Sequence, residues 1–302
     1  MIVRPIHSRR SGVSLVEVLI VVAIVLVVAM MLAMAIPRSR ENARLSSCTK
    51  NLGKIGGSLA LYDNAFGHLP SMPKPGDRGP GPLAIVGASS GFDDFGRKAA
   101  LKSESGPLFA GFPGGHPVEG FICPSDSIFA KPLRFLAPTS YRACAGSSPD
   151  GSGGVFAFGG TVSAEDVEKA AGKDFTAAFA ERRLGSGSGQ FSPANDYQLV
   201  PGPIGPDACP EGPAESWRGD AGSSWESADW TSTLYNHAMP PNGAPSCVAT
   251  DGRSARMGAS SNHANRVNVL MVGGSVRGFT PSVDREVWRK FGGVSAQDRA
   301  GR

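Results

Sequence analysis

The longest apolar stretch of the chain lies close to its N-terminus. Residues 18–36, VLIVVAIVLVVAMMLAMAI, carry only apolar side chains. As a helix, this stretch is about 28 Å long at roughly 1.5 Å per residue, close to the roughly 30 Å of a bilayer's hydrocarbon core. Backbone groups in lipid must be paired within the segment itself. The pattern therefore predicts a transmembrane helix over residues 13–36.

Beyond this stretch, the pattern becomes that of an amphipathic helix. Apolar residues recur in alternating steps of three and four positions, which is the spacing of one helical stripe. They are Leu45, Cys48, Leu52, Ile55, Leu59, Tyr62 and Phe66. We therefore predict a helical extension over residues 37–66. We expect its stripe to pack on the protein's own β domain, and the alternative is a coiled-coil dimer.

From residue 67 to residue 294, short apolar segments alternate with Gly, Pro, Ser and Asp. The chain contains 40 Gly and 24 Pro, and both residue types punctuate short strands, so this region is predicted to be a β-rich domain. A strand is expected over residues 154–158, and a helix is expected in residues 164–183, with Asp166 near its start and Arg182-Arg183 at its end. Residues 295–302 form a polar tail.

The clearest β-structure is predicted near the C-terminus. Val267–Val272 has the composition of a strand, Gly273-Gly274 suits a two-residue hairpin turn, and residues 275–279 return as the partner strand. Ser282 is then placed to cap a short helix.

The charge balance argues against a nucleic-acid-binding protein. The formal net charge is +4, and three of the positive charges, Arg4, Arg9 and Arg10, lie within the first ten residues. The remainder of the chain is close to neutral, so it lacks the strongly basic surface that binds a phosphate backbone.

Five cysteines are spread along the chain at positions 48, 123, 144, 209 and 247. No two form the CxxC pair of a metal or redox motif, and their spread is typical of disulfide cysteines in an oxidising compartment. We expect at least one disulfide. Cys209–Cys247 is our choice because both residues lie in one loop-rich segment, and the full connectivity stays open.

The segment before the apolar stretch carries the strongest functional signal. It contains two basic residues and then Ser11-Gly12-Val13-Ser14-Leu15-Val16-Glu17. An ordinary signal peptide would be cut near Ala33-Met34-Ala35, but this apolar run is longer than a usual signal peptide's. A plain uncleaved anchor is the second interpretation. Glu17 would not stabilise such an anchor, because an unpaired carboxylate at the membrane border is energetically costly.

The third interpretation is a prepilin leader, and we favour it. The segment resembles the type IV prepilin motif, in which a peptidase cuts after Gly and methylates the new N-terminus. The resemblance implies a leader over residues 1–12 and a cut between Gly12 and Val13. It makes Glu17 the fifth mature residue, paired with a neighbouring subunit's terminal amine. Val13 departs from the usual Phe. The N-terminus would be cytoplasmic, in a single-pass inner-membrane protein whose bulk is extracytoplasmic.

The C-terminal region resembles a second pattern. Residues 262–277, NHANRVNVLMVGGSVR, are similar to the signature His, nine residues, Asp-Gly, which closes a prepilin-like family called domain of unknown function fifteen-fifty-nine. His263 and Gly274 match, whereas Gly273 stands where the signature has Asp. The resemblance implies an α+β, pilin- or pseudopilin-like fold, with the long N-terminal transmembrane helix packed on a β-rich extracytoplasmic domain. It implies no defined activity.

His263 is the most tempting catalytic residue. Because Gly273 replaces the signature's acidic residue, we expect His263 to form structural hydrogen bonds at the entry to a strand. The other histidines lack the HxxxH or HExxH spacing of metal sites. We therefore expect no enzymatic activity, no cofactor and no metal, although a triad of residues distant in sequence stays open.

Two functions are compatible with these patterns. The preferred one is a pseudopilin-like subunit of a type II secretion or type IV pilus-like system, with the membrane, prepilin peptidase and other pilin-like subunits as partners. The alternative is a monomeric, membrane-anchored binding protein for a glycan or a protein. It would use Trp217, Trp225 and Trp230, although such residues are more often core or loop anchors.

We predict that the mature protein begins at Val13 and carries an added methyl group. N-terminal sequencing and intact mass of the protein from native membranes check this. A chain that begins at Ile36 would show removal of a conventional signal peptide instead.

Overall fold

The structure is a computed structural model of the chain. It describes residues 12, 14–74, 77, 79–89, 117–126, 137–187 and 191–294. Val13 and the polar tail predicted over residues 295–302 lie outside the described residues. The chain divides into two compact units, residues 1–43 and residues 44–302.

One long helix, α1 (Leu15–Phe66), joins the predicted transmembrane helix to the predicted amphipathic extension. It continues through Pro37, which has no N–H to donate to the helical ladder. It ends where Gly67 takes a positive φ of 74° and donates its N–H to Asp63 O at 2.7 Å. A glycine in this conformation is a common helix terminator, because it has no Cβ to clash.

The described residues form two sheets. The first has five strands, β1 (Tyr141–Cys144), β2 (Ala177–Glu181), β5 (Leu234–Tyr235), β8 (Val267–Met271) and β9 (Val276–Phe279). Their order in the sheet is β5-β1-β2-β8-β9. The pair β1 and β5 is parallel, and the other neighbouring strands are antiparallel.

The second sheet has four strands in the order β4-β3-β6-β7. They are β3 (Tyr197–Val200), β4 (Trp217–Arg218), β6 (Ser246–Ala249) and β7 (Ala255–Arg256). Here β3 and β6 are parallel, and the outer pairs are antiparallel. The shorter helices are α2 (Pro82–Ser89), α3 (Ala164–Ala170) and α4 (Arg285–Gly292). The expectation of an α+β fold is confirmed.

Four of the five strands of the first sheet are fully buried, and only the edge strand β9 is partly exposed. Along β8, Val267, Val269 and Met271 join one apolar cluster together with Trp288 of α4. Leu270 points to the opposite face and belongs to the cluster that contains the α1 stripe. Successive side chains of a strand alternate between faces. A strand covered on both sides therefore has an almost continuous apolar sequence, as β8 does.

The second half of α1 packs on this sheet. Its central stripe residues are Cys48, Leu52, Ile55 and Leu59, each at most 2% exposed. Leu45 and Tyr62 are half-buried, and Phe66 is exposed. The prediction that the stripe packs on the protein's own β domain is thus confirmed for its central positions.

Two predicted elements were wrong in their extent or type. The helix predicted within residues 164–183 covers only α3, because Gly172 adopts a positive φ of 81° and the chain then continues as β2. Burial on both faces, rather than helical periodicity, determines the structure of the alanine-rich β2. Residues 154–158 form a bend and a turn and then an isolated β-bridge from Phe158 to Met72, instead of a strand.

The C-terminal hairpin is present, with a different turn. β8 ends at Met271, whose N–H donates to Ser275 O at 2.8 Å, while Gly274 N–H donates to Met271 O at 2.9 Å. Gly274 has a φ of 88°, so the connection is a three-residue loop with its last residue left-handed. The following helix is capped by Asp284, not by Ser282, since the Asp284 side chain accepts from Val287 N.

A buried histidine lies between the sheet and α4. His237 stacks on the Trp288 indole with ring centroids 3.8 Å apart. Its Nδ1 lies 2.7 Å from Trp288 O, and its Nε2 lies 3.0 Å from the Tyr235 hydroxyl. A neutral imidazole satisfies both contacts, by donating to the carbonyl and accepting from the hydroxyl. Burial lowers the pKa of His237 to about 4.

We predict that the free energy of unfolding of residues 44–302 decreases as the pH falls from about 6.5 to about 4. The pKa of His237 is lower in the folded chain than in the unfolded chain, so the unfolded chain binds more protons in this window. The contribution is on the order of 3 kcal/mol. Denaturant titrations of the detergent-solubilised protein at several pH values measure it. A His237→Asn variant should be less stable and lack this part of the pH dependence, whereas parallel pH profiles would contradict the assignment.

Candidate functional site

The processing motif lies at the start of α1. Gly12 is exposed. The Ser14 N–H donates to Glu17 Oε2 at 3.0 Å, which is one half of a capping box. A carboxylate in the first turn also faces the positive end of the helix dipole. Glu17 therefore has a local structural partner in the isolated chain, and any test of its role must separate capping from charge.

The apolar part of α1 has no covering side chains among the described residues. Its large apolar side chains range from 75% exposed at Leu15 to 46% at Val27 and Ile36. Within the part of the chain that the structure describes, α1 is the one helix long and apolar enough to cross a membrane. Exposed apolar area of this extent is unfavourable in water at about 25 cal/mol per Å². The helix is thus compatible with a single-pass membrane anchor.

The two ends of the C-terminal signature lie far apart. His263 precedes β8 and Gly273 follows it, and a five-residue strand spans roughly 16 Å at about 3.3 Å per residue. A His–Asp pair is therefore not formed across these positions. At the turn, a Cβ on Gly273 would collide with Asp174 Oδ1. The Asp174 carboxylate also accepts from the Ser275 hydroxyl at 3.4 Å. An acidic group from the segment before β2 therefore lies beside the hairpin turn.

His263 lies in a buried polar cluster. It is 3% exposed, and its Nε2 is 3.3 Å from Glu181 Oε1 and 3.4 Å from Cys123 Sγ. On the other side of the ring, Nδ1 lies 3.4 Å from the Ser125 hydroxyl. The backbone N–H of His263 donates to Ser261 Oγ at 3.2 Å. These contacts fix the imidazole orientation at the entry to β8.

Glu181, at the end of β2, is the main polar partner of His263. It is 2% exposed. Asn268 of β8 donates its backbone N–H to Oε2 and its side-chain amide to Oε1, each at 2.9 Å. A buried carboxylate is tolerated only when it is hydrogen-bonded. Two donors from the adjacent strand therefore hold Glu181 toward His263.

Two disulfides join segments of residues 44–302. Cys48 of α1 is bonded to Cys123, 75 residues later, and Cys209 is bonded to Cys247 of β6. The second is the pair chosen from the sequence, and the first was missed. Cys144 is free and buried, and burial raises the pKa of its thiol to about 12.

A small cavity of about 10 Å³ adjoins the cluster. Its lining includes Cys123, Asp126, Glu181, Arg182 and Asn262. Arg182 is 1% exposed and donates to Gly258 O at 3.1 Å, while its Nε and Nη2 have no hydrogen-bond partner among the described residues. Burial lowers the pKa of Arg182 well below its usual value. A buried arginine with unused hydrogen-bond donors therefore lines the cavity.

The tryptophans of the loop-rich segment separate into two groups. Trp225 and Trp230 are at most 1% exposed and belong to the main core cluster. Trp217 is only half-buried and stacks on the exposed Phe191, with ring centroids 5.0 Å apart and planes 2° apart. One aromatic pair thus remains at the surface for a ligand.

Sequence reasoning found His263 but missed the partners that surround it. Cys48, Cys123 and Glu181 come from α1, a turn and β2, so no local spacing connects them. The position of Cys48 on the apolar stripe was the one available signal, because a stripe residue must face the domain. The residues that Cys48 contacts in the domain are determined by the tertiary fold.

We predict that His263→Ala lowers the free energy of unfolding by about 1–3 kcal/mol, because the Glu181 carboxylate loses a buried polar partner. Membrane localisation should not change. Denaturant titration and membrane fractionation measure the two outcomes. His68→Ala serves as a control, since His68 is half-buried outside the cluster, and equal stability of the two variants would contradict this role.

Comparisons with known proteins gave two matches, one at the N-terminus and one over most of the remaining chain. The prokaryotic N-terminal methylation motif matches residues 7–35. No curated protein and no solved structure matches the chain. The sequence pattern of the family described as "Protein of unknown function (DUF1559)" matches residues 37–286, well over half of the chain. The chain therefore belongs to the DUF1559 family, and its N-terminal methylation motif makes it type IV pilin- or pseudopilin-like.

Proposed function

We propose that this protein is a non-catalytic, membrane-anchored pseudopilin-like subunit, which assembles with other pilin-like subunits through the first half of α1. The observation that carries the proposal is Glu17, a single carboxylate in the first turn of a helix whose following side chains are apolar and exposed. The proposed system is a type II secretion or type IV pilus-like machine.

The physical basis is the cost of a carboxylate at the edge of the hydrocarbon region. On insertion scales an acidic residue costs about 2.5–3.5 kcal/mol at the helix centre and less toward the end. The Ser14 N–H offsets part of this cost within one chain. The methylated amine of a neighbour's Val13 would offset more, because two full opposite charges attract each other more strongly in a low dielectric than a carboxylate attracts a neutral N–H. Glu17 therefore favours association over isolation in the membrane.

The topology follows from the same motif. Prepilin peptidase would cut after Gly12 on the cytoplasmic side of the inner membrane and leave a single-pass protein. Two disulfides within residues 44–302 support an extracytoplasmic, oxidising location for that unit. The enclosure of His263, at 3% exposed, supports a structural role over catalysis.

The second candidate function is binding of a glycan or a protein. It rests on the parallel stack of Phe191, 47% exposed, and Trp217. Exposed aromatic faces of this kind can stack on a sugar ring. A saccharide-dependent change in tryptophan fluorescence that Trp217→Ala abolishes would support this function.

We predict that Glu17→Leu is still cleaved and membrane-bound but no longer cross-links into oligomers with itself or with other pilin-like subunits. The informative control is Glu17→Gln. Its amide oxygen can still accept from the Ser14 N–H, but it carries no charge. If intersubunit charge pairing drives assembly, both variants should lose most of the cross-linked product in native membranes.

Retention of cross-linking by Glu17→Gln alone would assign the residue to helix capping. Equal cross-linking of wild type and Glu17→Leu would remove the main support for assembly. The anchored binding protein would then be the better interpretation.

A further inference from the structure

Four side chains with metal-binding atoms converge at the polar cluster. The Cys48 and Cys123 sulfurs, a Glu181 carboxylate oxygen and a His263 ring nitrogen all lie within 4.8 Å of one another. All four residues are buried, at 0%, 4%, 2% and 3% exposed respectively. Nothing in the proposed assembly role of α1 uses this arrangement.

Two of the separations between ligand atoms are those of a tetrahedral site, and both involve His263 Nε2. With Zn–S bonds of about 2.3 Å and Zn–N and Zn–O bonds of about 2.0–2.2 Å, ligand atoms around zinc lie roughly 3.3–3.8 Å apart. His263 Nε2 lies 3.4 Å from Cys123 Sγ and 3.3 Å from Glu181 Oε1. The two sulfurs, bonded in the disulfide, would need to separate by side-chain rotation. Their Cα atoms are 5.1 Å apart.

The surroundings also suit a metal. A ligating histidine usually donates its second ring N–H to an oxygen, and His263 Nδ1 lies 3.4 Å from the Ser125 hydroxyl. Asn268 orients the Glu181 carboxylate through two hydrogen bonds. Two thiolates and one carboxylate around a divalent cation leave one net negative charge. Arg182, with its unused donors, lines the same cavity as Cys123 and Glu181.

We propose that Cys48, Cys123, Glu181 and His263 form a zinc-type metal site in the thiol form of the protein. The same place in the fold then holds either a disulfide or a metal ion. Two sulfurs, one nitrogen and one oxygen select zinc over calcium or magnesium, which prefer oxygen ligands.

The thiol and disulfide forms differ by two electrons and two protons, which a disulfide oxidant accepts by exchange when Cys48 and Cys123 become bonded. The chain is synthesised with thiols, and a divalent ion that binds them forms two metal–sulfur bonds and releases two protons. Conversion of the disulfide form needs a dithiol, which supplies two electrons and two protons and is itself oxidised to a disulfide. Metal binding therefore competes directly with oxidation of Cys48 and Cys123.

Cobalt titration of the full-length protein in detergent tests the site. The protein is reduced with a dithiol, freed of reductant without oxygen, and titrated with Co²⁺. We expect one Co²⁺ per chain, with the visible bands of tetrahedral cobalt and sulfur-to-cobalt charge-transfer absorption, both removed by Zn²⁺. Oxidised protein should give neither signal.

Variants assign the ligands. Cys48→Ser and His263→Gln should each weaken cobalt binding roughly tenfold or more. Mutation of residues that only orient a metal ligand already lowers metal affinity by about this much, and loss of the ligand itself should lower it at least as far. The matched control is the double variant Cys209→Ser, Cys247→Ser, which removes the other disulfide and should keep the full signal. A cobalt signal that survives His263→Gln and disappears in the control would overturn the proposal.

A second measurement needs no variant and so does not depend on folding of the mutants. Reduced wild-type protein is alkylated with and without Zn²⁺ and mapped by mass spectrometry. Zinc should slow alkylation of Cys48 and Cys123 and leave Cys209 and Cys247 unchanged. Equal alkylation with and without zinc would contradict a metal site at this position.

Discussion

Four side chains on one stripe of α1 (Cys48, Leu52, Ile55 and Leu59) lie against the five-stranded sheet with at most 2% of their surface exposed. Full burial of one such aliphatic side chain contributes about 1.5–3 kcal/mol. The approach is close because Gly56 has no side chain, and a Cβ there would lie 2.9 Å from Leu270 Cδ1. This contact places Cys48 beside Cys123, so the group of Cys48, Cys123, Glu181 and His263 is complete only where the helix is docked.

The cluster in turn explains why so many polar groups are tolerated inside the domain. Glu181, Arg182, His263 and Asn268 are each at most 3% exposed, and desolvation of such groups is unfavourable unless they are paired. Strands β2 and β8 bring the carboxylate and its amide donors into register, and the segment before β8 supplies the imidazole. The hydrogen-bonded contacts of Glu181 with Asn268 and His263 favour one arrangement of helix and sheet over slipped alternatives.

The sequence predicted those features that depend on a regular local pattern. The apolar run and the steps of three and four positions identified α1 and its buried stripe, and the turn glycines identified the C-terminal hairpin. The extent of α3 and the existence of β2 were not predicted, because Ala177–Glu181 has no strand-like alternation and is extended only because both its neighbours pair with it. His263 was found from its signature. Cys48, Cys123 and Glu181 were not recognised as its neighbours, since segments distant in sequence meet only after folding.

The turn of the C-terminal hairpin restricts which residues can replace Gly273. The carboxylate of Asp174 reaches the space beside Gly273, and a Cβ on Gly273 would collide with it. A Gly273→Asp change in a chain that keeps Asp174 would require the exposed Asp174 side chain to move and would place a second carboxylate near it, where like charges repel each other. An acidic side chain at either position therefore disfavours an acidic side chain at the other.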